Sequence, residues 1–141
     1  MTEVKYRFII GIDPDTNKSG IAFYDNSEKK ITVFELELWK IFNTLLKYEE
    51  YCLVRLEAGH KVKSTWHKGG NGMAKRVGAN HEIGRQIEKF CIEYKIPFEL
   101  VKPCGLSNIN HEMFCKITGW NIKKLTNPEK RVAGLLAFGK K

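Results

Sequence analysis

Two acidic residues stand where side chains can do chemistry. Asp13 closes the apolar run RFIIGID (7–13), and Glu57 lies at the end of CLVRLEA (52–58). Both runs read as largely buried strands. In an open α/β sheet, ligands gather at the carboxyl ends of the strands. If the two strands lie side by side, the carboxylates come within a few ångströms and repel each other unless a cation joins them. Oxygen donors suit hard ions such as Mg²⁺ or Mn²⁺. A hard divalent ion facing a basic surface is the setting for phosphodiester hydrolysis, in which metal ions activate water and stabilise the leaving oxygen. The plainer reading is that each acid merely ends a strand in solvent. The charge distribution decides against it.

The chain has 141 residues, 24 Lys and Arg against 16 Asp and Glu, and a formal charge of +8. The excess is uneven. Residues 58–85 hold six basic side chains and one acidic, net +5, and residues 102–141 hold eight and two, net +6. The remainder is slightly acidic. Segregated positive charge implies a polyanion, most commonly nucleic acid. The length fits one domain, residues 1–141. No apolar run approaches the roughly 18 residues of a membrane span. The opening MTEVKYRFIIGID lacks the apolar core and small-residue cleavage site of a secretory signal. The expected compartment is therefore the cytoplasm, of a bacterial cell or a phage-infected host.

The elements that must position the two acids follow from pattern. After the first run, PDTNKSG (14–20) is a turn and IAFYD (21–25) a second strand. Residues 31–38, ITVFELEL, alternate as a third strand, which makes an antiparallel meander. Residues 39–46 read as a helix, and 52–58 as the fourth strand. Residues 59–73 form a long basic loop containing GGNG, followed by a helix over 74–94 with Ile83, Ile87, Phe90 and Cys91 near helical period. Residues 97–101 make a fifth strand and 111–117 a short helix. Asn127 caps a final helix with Pro128 in its first position, and Gly139 ends it. The order β-β-β-α-β-α-β-α implies α/β architecture, a mixed five-stranded sheet flanked by helices.

Cys52, Cys91, Cys104 and Cys115 include no CxxC pair; Cys52 and Cys91 lie in apolar settings and read as buried free thiols, and with no secretory signal a reducing cytoplasm is expected. Cys104, His111 and Cys115 could contribute to a zinc site, but a fourth ligand is not evident.

FIIGIDPDTNKSGIAFYD resembles the first hairpin of the RuvC-type Holliday-junction resolvases, within the RNase H-like superfamily. CLVRLEA is similar to the family's fourth strand, which carries a catalytic Glu. STWHKGGNGMAKRVGANHEIGRQIEKF resembles its basic loop and following helix. HEMF, TGW and TNPEKR…GLLAF resemble the tail of small phage or Bacteroidetes-type members. Actin-like ATPases open similarly but require two such domains, more than this length supplies.

The resemblance implies a metal-dependent endonuclease, usually a homodimer, that cuts symmetric strands of a four-way DNA junction. Asp13 would be the central metal-bridging carboxylate and Glu57 the second ligand, with Mg²⁺ or Mn²⁺ as cofactor. The family's last helix commonly carries Arg-Asp-Ala near its start. Here the chain reads Lys130-Arg131-Val132-Ala133, so Val132 replaces the acid. Glu129 stands one turn earlier on nearly the same face. It has two readings, a replacement ligand or a first-turn acid favouring the helix dipole. Asp15 reads as a turn cap rather than a ligand.

For DNA contacts, the resemblance and the charge map single out Lys61, Lys63, His67, Lys75, Arg76, Asn80, His81 and Arg85, with Lys68 beside them. Such side chains hold a backbone in register without reading sequence. Trp66 either stacks on an unpaired base or anchors its loop. His60 lies near the metal edge, and Lys123, Lys124, Lys130 and Arg131 would form a second basic flank. Two other functions remain open: a catalytically impaired junction-binding protein of the same fold, prompted by Val132, and a ribosomal-RNA-processing nuclease of the YqgF type.

Overall fold

The computed structural model describes residues 6–61 and 70–140, with the side chains at 70–76 and 140 excepted. Strands β1 (Phe8–Asp13), β2 (Ser19–Asp25) and β3 (Lys30–Leu36) are followed by helix α1 (Leu38–Tyr48), strand β4 (Cys52–Glu57) and helix α2 (Gly70–Glu93). Strand β5 (Phe98–Val101), helix α3 (His111–Thr118) and helix α4 (Pro128–Lys140) complete the order. Short 3₁₀ turns occupy Gly59–Lys61 and Leu106–Asn108. Among the described residues no helix is long and apolar enough to cross a membrane.

The five strands form one sheet in the order β3-β2-β1-β4-β5. β1, β2 and β3 pair antiparallel, while β4 pairs parallel with both β1 and β5. This is the expected mixed sheet. Alternation along the central strands sends their side chains to two separate cores. Ile10, Ile12, Val54 and Leu56 pack with Ile41 and Leu45 of α1 and Ile87 and Cys91 of α2. Ile9, Ala22, Tyr24, Val33 and Leu53 pack on the opposite face with Phe114 of α3 and Ala133 and Ala137 of α4. Both faces of the sheet are therefore covered, as a sheet with buried parallel strands requires.

The elements differ from expectation in two places. Helix α2 begins at Gly70, within the GGNG segment read as loop. Glycine weakens a helix but does not forbid it once packed residues downstream have nucleated it. Helix α4 continues through Gly139 instead of stopping there. The two helices expected after β5 are both present, as α3 and α4. The capping of α4 is as read: Asn127 Oδ1 accepts the Lys130 amide at 2.9 Å. Its Nδ2 also donates to Glu35 Oε1 of β3 at 3.0 Å, which ties the helix start to the sheet edge.

Two glycines set the docking of α4. A methyl group on Gly11 would overlap the backbone at Ala133, and one on Gly20 would overlap the Glu129 carbonyl. With no side chain at either position, the helix backbone lies directly on β1 and β2. Gly20 is also the cross-strand partner of Asp13. The contact that seats α4 therefore brings Glu129 to the end of β1.

Candidate active site

Asp13 and Glu57 end adjacent parallel strands, one position beyond the Ile12–Leu56 pair. Burial, and then the charges of Glu57, Glu129 and Asp15, push the Asp13 carboxyl from an ordinary 3.8 up to about 8. Burial also raises Glu57, and a hydrogen bond from the Asp13 carboxyl partly offsets that rise. The pair thus shares a proton in the absence of a cation. Asp13 and Glu57 interact at the ends of β1 and β4, and the charge of Glu129 reaches Asp13 from α4, which the Gly20 contact seats there.

Among the described residues no group of three His, Cys, Asp or Glu side chains is closed around a point that could hold an ion. The donor set nonetheless fits a hard divalent cation. It consists of carboxylates from three elements, and burial together with their mutual charge favours the protonated form of Asp13. A cation would take the place of that proton. Val132 is 2% exposed and lies within the helix–sheet packing, where its chemistry is that of a core residue.

A cleft of about 250 Å³ opens beside the carboxylates, lined by Asp13, Pro14, Glu57, Gly59, His60, Val77, Asn80, His81, Gly84 and Pro103. His81 packs over Gly59, where a methyl group would lie 3.2 Å from its Nε2. The imidazole therefore sits two residues along the chain from Glu57, on the cleft wall. Asn80 lines the same wall, but its Oδ1 accepts the Thr16 amide at 3.0 Å. Its observed work is to tether the β1–β2 turn to α2. Asp15 behaves as read, with Oδ1 accepting from the Thr16 hydroxyl at 3.3 Å and the Asn17 amide at 3.5 Å.

His60 is a buttress. Its side chain is buried, and Nε2 lies 2.8 Å from Glu88 Oε1 of α2. Lys61 reaches the same carboxylate at 3.4 Å. Arg85 pairs with Glu82 at 3.2 Å on an exposed face. Exposed pairs of this kind contribute little and exchange readily for a phosphate. Lys63, Trp66, His67 and Lys68 lie outside the described residues, as do the side chains of Lys75 and Arg76.

Of the second basic flank, Lys123 and Lys124 are exposed, while Lys130 and Arg131 are engaged within the protein. The Arg131 guanidinium is partly buried and donates to the backbone carbonyl of Ile109 at 2.8 Å and that of Thr126 at 3.2 Å. Lys130 lies 3.8 Å from Glu35. The zinc option also falls away. Both His111 nitrogens are engaged, Nδ1 with the Thr126 hydroxyl at 2.9 Å and Nε2 with the Ile122 carbonyl at 2.8 Å, and Cys104 is exposed. Sequence reasoning missed Gly11, Gly20 and the Asn80–Thr16 tether. The only signal for the glycines was a small residue within each of two otherwise apolar strands.

No family model matches the sequence, and no curated protein matches it. Among solved structures, the chain is similar to Thermus thermophilus RuvC in complex with Holliday junction substrate. That match has 14% identity and a TM-score of 0.59, and covers 93% of this chain and 90% of that one. A fowlpox virus Holliday junction resolvase matches at 13% identity and a TM-score of 0.46, over 94% of this chain and 96% of that one. The likeness to RuvC establishes the fold of this chain as RNase H-like.

Proposed function

We propose that this chain is a metal-dependent endonuclease that resolves four-way or branched DNA junctions by phosphodiester hydrolysis. The observation that carries the proposal is the gathering of Asp13, Glu57 and Glu129 at one sheet edge, where burial first and then the neighbouring acids push the Asp13 carboxyl up to about 8. Structural carboxylates are not normally gathered where they repel, and perturbed groups beside a cleft are candidates for function. The fold shared with RuvC supports the choice of substrate.

Mg²⁺ or Mn²⁺, held by Asp13, Glu57 and Glu129, would supply water activation and neutralisation of charge at the phosphorus. The chain's own contribution is positioning. β1 and β4 hold two carboxylates rigidly at adjacent strand ends, and α4 brings the third. His81 on the cleft wall is placed to hydrogen-bond a phosphate oxygen, and Lys61 and Arg85 provide positive charge nearby. No covalent intermediate is implied. A four-way junction needs two symmetric cuts, so the acting unit is a homodimer; exposed Ile92 and Tyr94 near the end of α2 provide apolar surface for it.

The test is a labelled four-way junction, a duplex and a structured RNA, each incubated in Mg²⁺ or in EDTA. Paired symmetric nicks in the junction are expected, lost in Asp13→Asn while binding persists. Cleavage confined to the RNA would overturn the DNA assignment and favour rRNA processing. A second reading, binding without cutting, is favoured by the buried apolar Val132. Tight junction binding with no nicks in either metal would select it.

A further inference from the structure

Away from the carboxylates, a groove of about 460 Å³ runs beside edge strand β3, between its first residues and the loop after α3. Lys29, Lys30 and Lys124 line it, with Trp120 and Asn121 and no carboxylate. The loop is braced from within. The Trp120 indole donates to the Lys124 carbonyl at 2.8 Å, its backbone amide meets the Thr118 hydroxyl at 3.2 Å, and the Lys124 ammonium sits 5.6 Å from the indole centroid. Trp120 also packs against the α4-side core, so the groove wall is fixed to the body of the domain.

Its position relative to the carboxylates follows from the strand register. Gly20 pairs with Asp13 on one side and with Glu35 on the other. Lys30 lies five residues before Glu35 on the same strand. At about 3.3–3.4 Å per residue along β3, and two strand spacings of about 4.8 Å across from β1, the groove lies roughly 20 Å from Asp13. B-DNA rises about 3.4 Å per base pair on each strand, so this span equals about six base pairs. Lys130, beside Glu35, marks the start of the path.

We propose that the β3 groove is a second DNA-backbone site, which holds a duplex arm about six base pairs from the cut phosphate through Lys29, Lys30 and Lys124. The inference rests on the junction-nuclease reading and extends it by assigning the path of an arm. The choice of a phosphodiester backbone over an acidic protein surface rests on two features. No carboxylate lines the groove itself, the nearest acids being Asp25 opposite Lys30 and Glu28 before Lys29, and the span from the carboxylates is one a continuous duplex arm can cover.

The experiment compares wild type with the triple variant Lys29→Gln, Lys30→Gln, Lys124→Gln, in EDTA, on a four-way junction with long arms. Junction affinity is measured across KCl concentrations, with hydroxyl-radical footprints at low salt. The variant is expected to lose about two to three from the magnitude of the log K against log [salt] slope, about 0.9 per phosphate contact. It also loses protection at nucleotides about six from the cut site. In Mg²⁺ at saturating protein its cleavage rate stays that of wild type, since none of the three lines the carboxylate cleft. Equal slope and footprint in a wild type that does bind junctions overturns the groove site alone and leaves room for a protein partner there. A wild type that binds no DNA overturns both readings. An unchanged melting temperature and Trp fluorescence in the variant assign any loss to contact rather than folding.

Discussion

At the residue scale, the burial and crowding of Asp13 set a measurable pH dependence. Its carboxyl titrates near 3.8 when unfolded and at about 8 when folded. A raised pKa means that the folded state binds the proton more tightly. Its stabilising contribution is complete below about pH 4 and is lost as pH rises through about 8. In EDTA, Asp13→Asn should therefore melt several degrees above wild type at pH 8.5 and close to it at pH 5, while abolishing cleavage in Mg²⁺. A difference that does not shrink toward low pH would refute the crowding. Val132 makes the converse case. As a buried apolar residue it has no partner ready for a charge, so Val132→Asp should cost about 3 kcal/mol or more in EDTA, read from urea midpoints. Recovery of part of that loss in Mg²⁺ would show that the new carboxylate reaches the ion. The two strand-end acids were legible in the sequence because an acid after an apolar run is a local signal. Asn80, His60 and Arg131 were not, because their partners Thr16, Glu88 and Ile109 lie 64, 28 and 22 residues away.

At the scale of elements, the site depends on how closely α4 approaches the sheet. A Cβ at Gly20 would meet the backbone at Glu129, which cannot rotate away as a side chain could. Gly20→Ala should destabilise by about 1–3 kcal/mol, the usual range for overpacking, and lower cleavage further by displacing Glu129. Gly78 is the control. It lies exposed in α2 with no atom within 4 Å of a built Cβ, so Gly78→Ala should stabilise by about 0.5–1 kcal/mol through helix propensity. Thermal melts of the two variants should thus move in opposite directions, and a Gly20→Ala protein as stable as wild type would separate α4 docking from Gly20. The five strands and the cap of α4 were readable because alternation, turn residues and Asn-Pro are local. The start of α2 was not. Four residues of GGNG bias the local preference toward loop, and the helical outcome is decided by packing further along at Ile87 and Cys91.

At the scale of the molecule, the charge map was right in sign and incomplete in placement. The excess over 102–141 divides among an internal brace at Arg131, a sheet-edge pair at Lys130 and the groove at Lys124. Only the fold separates these, because a count of lysines carries no direction. The carboxylates show the opposite arrangement. β1, β4 and α4 come from the beginning, middle and end of the described chain, and their acids meet only when the whole sheet is assembled. A cation bound there is bound by the folded state and hardly by the unfolded chain. Stabilisation then follows mass action, about 2.7 kcal/mol at a hundred times the dissociation constant. For a domain of this size that corresponds to a rise of roughly 8–10 °C in the melting temperature. MgCl₂ should produce the shift and KCl of matched ionic strength should not, because general screening acts on the exposed pairs as much as on the site. Asp13→Asn and Glu129→Gln should each remove most of the response, since the first takes away the central carboxylate and the second the link to α4. A Glu129→Gln protein that responds to MgCl₂ as wild type does would leave Asp13 and Glu57 as the whole protein ligand set and return Glu129 to the role of a helix-start acid.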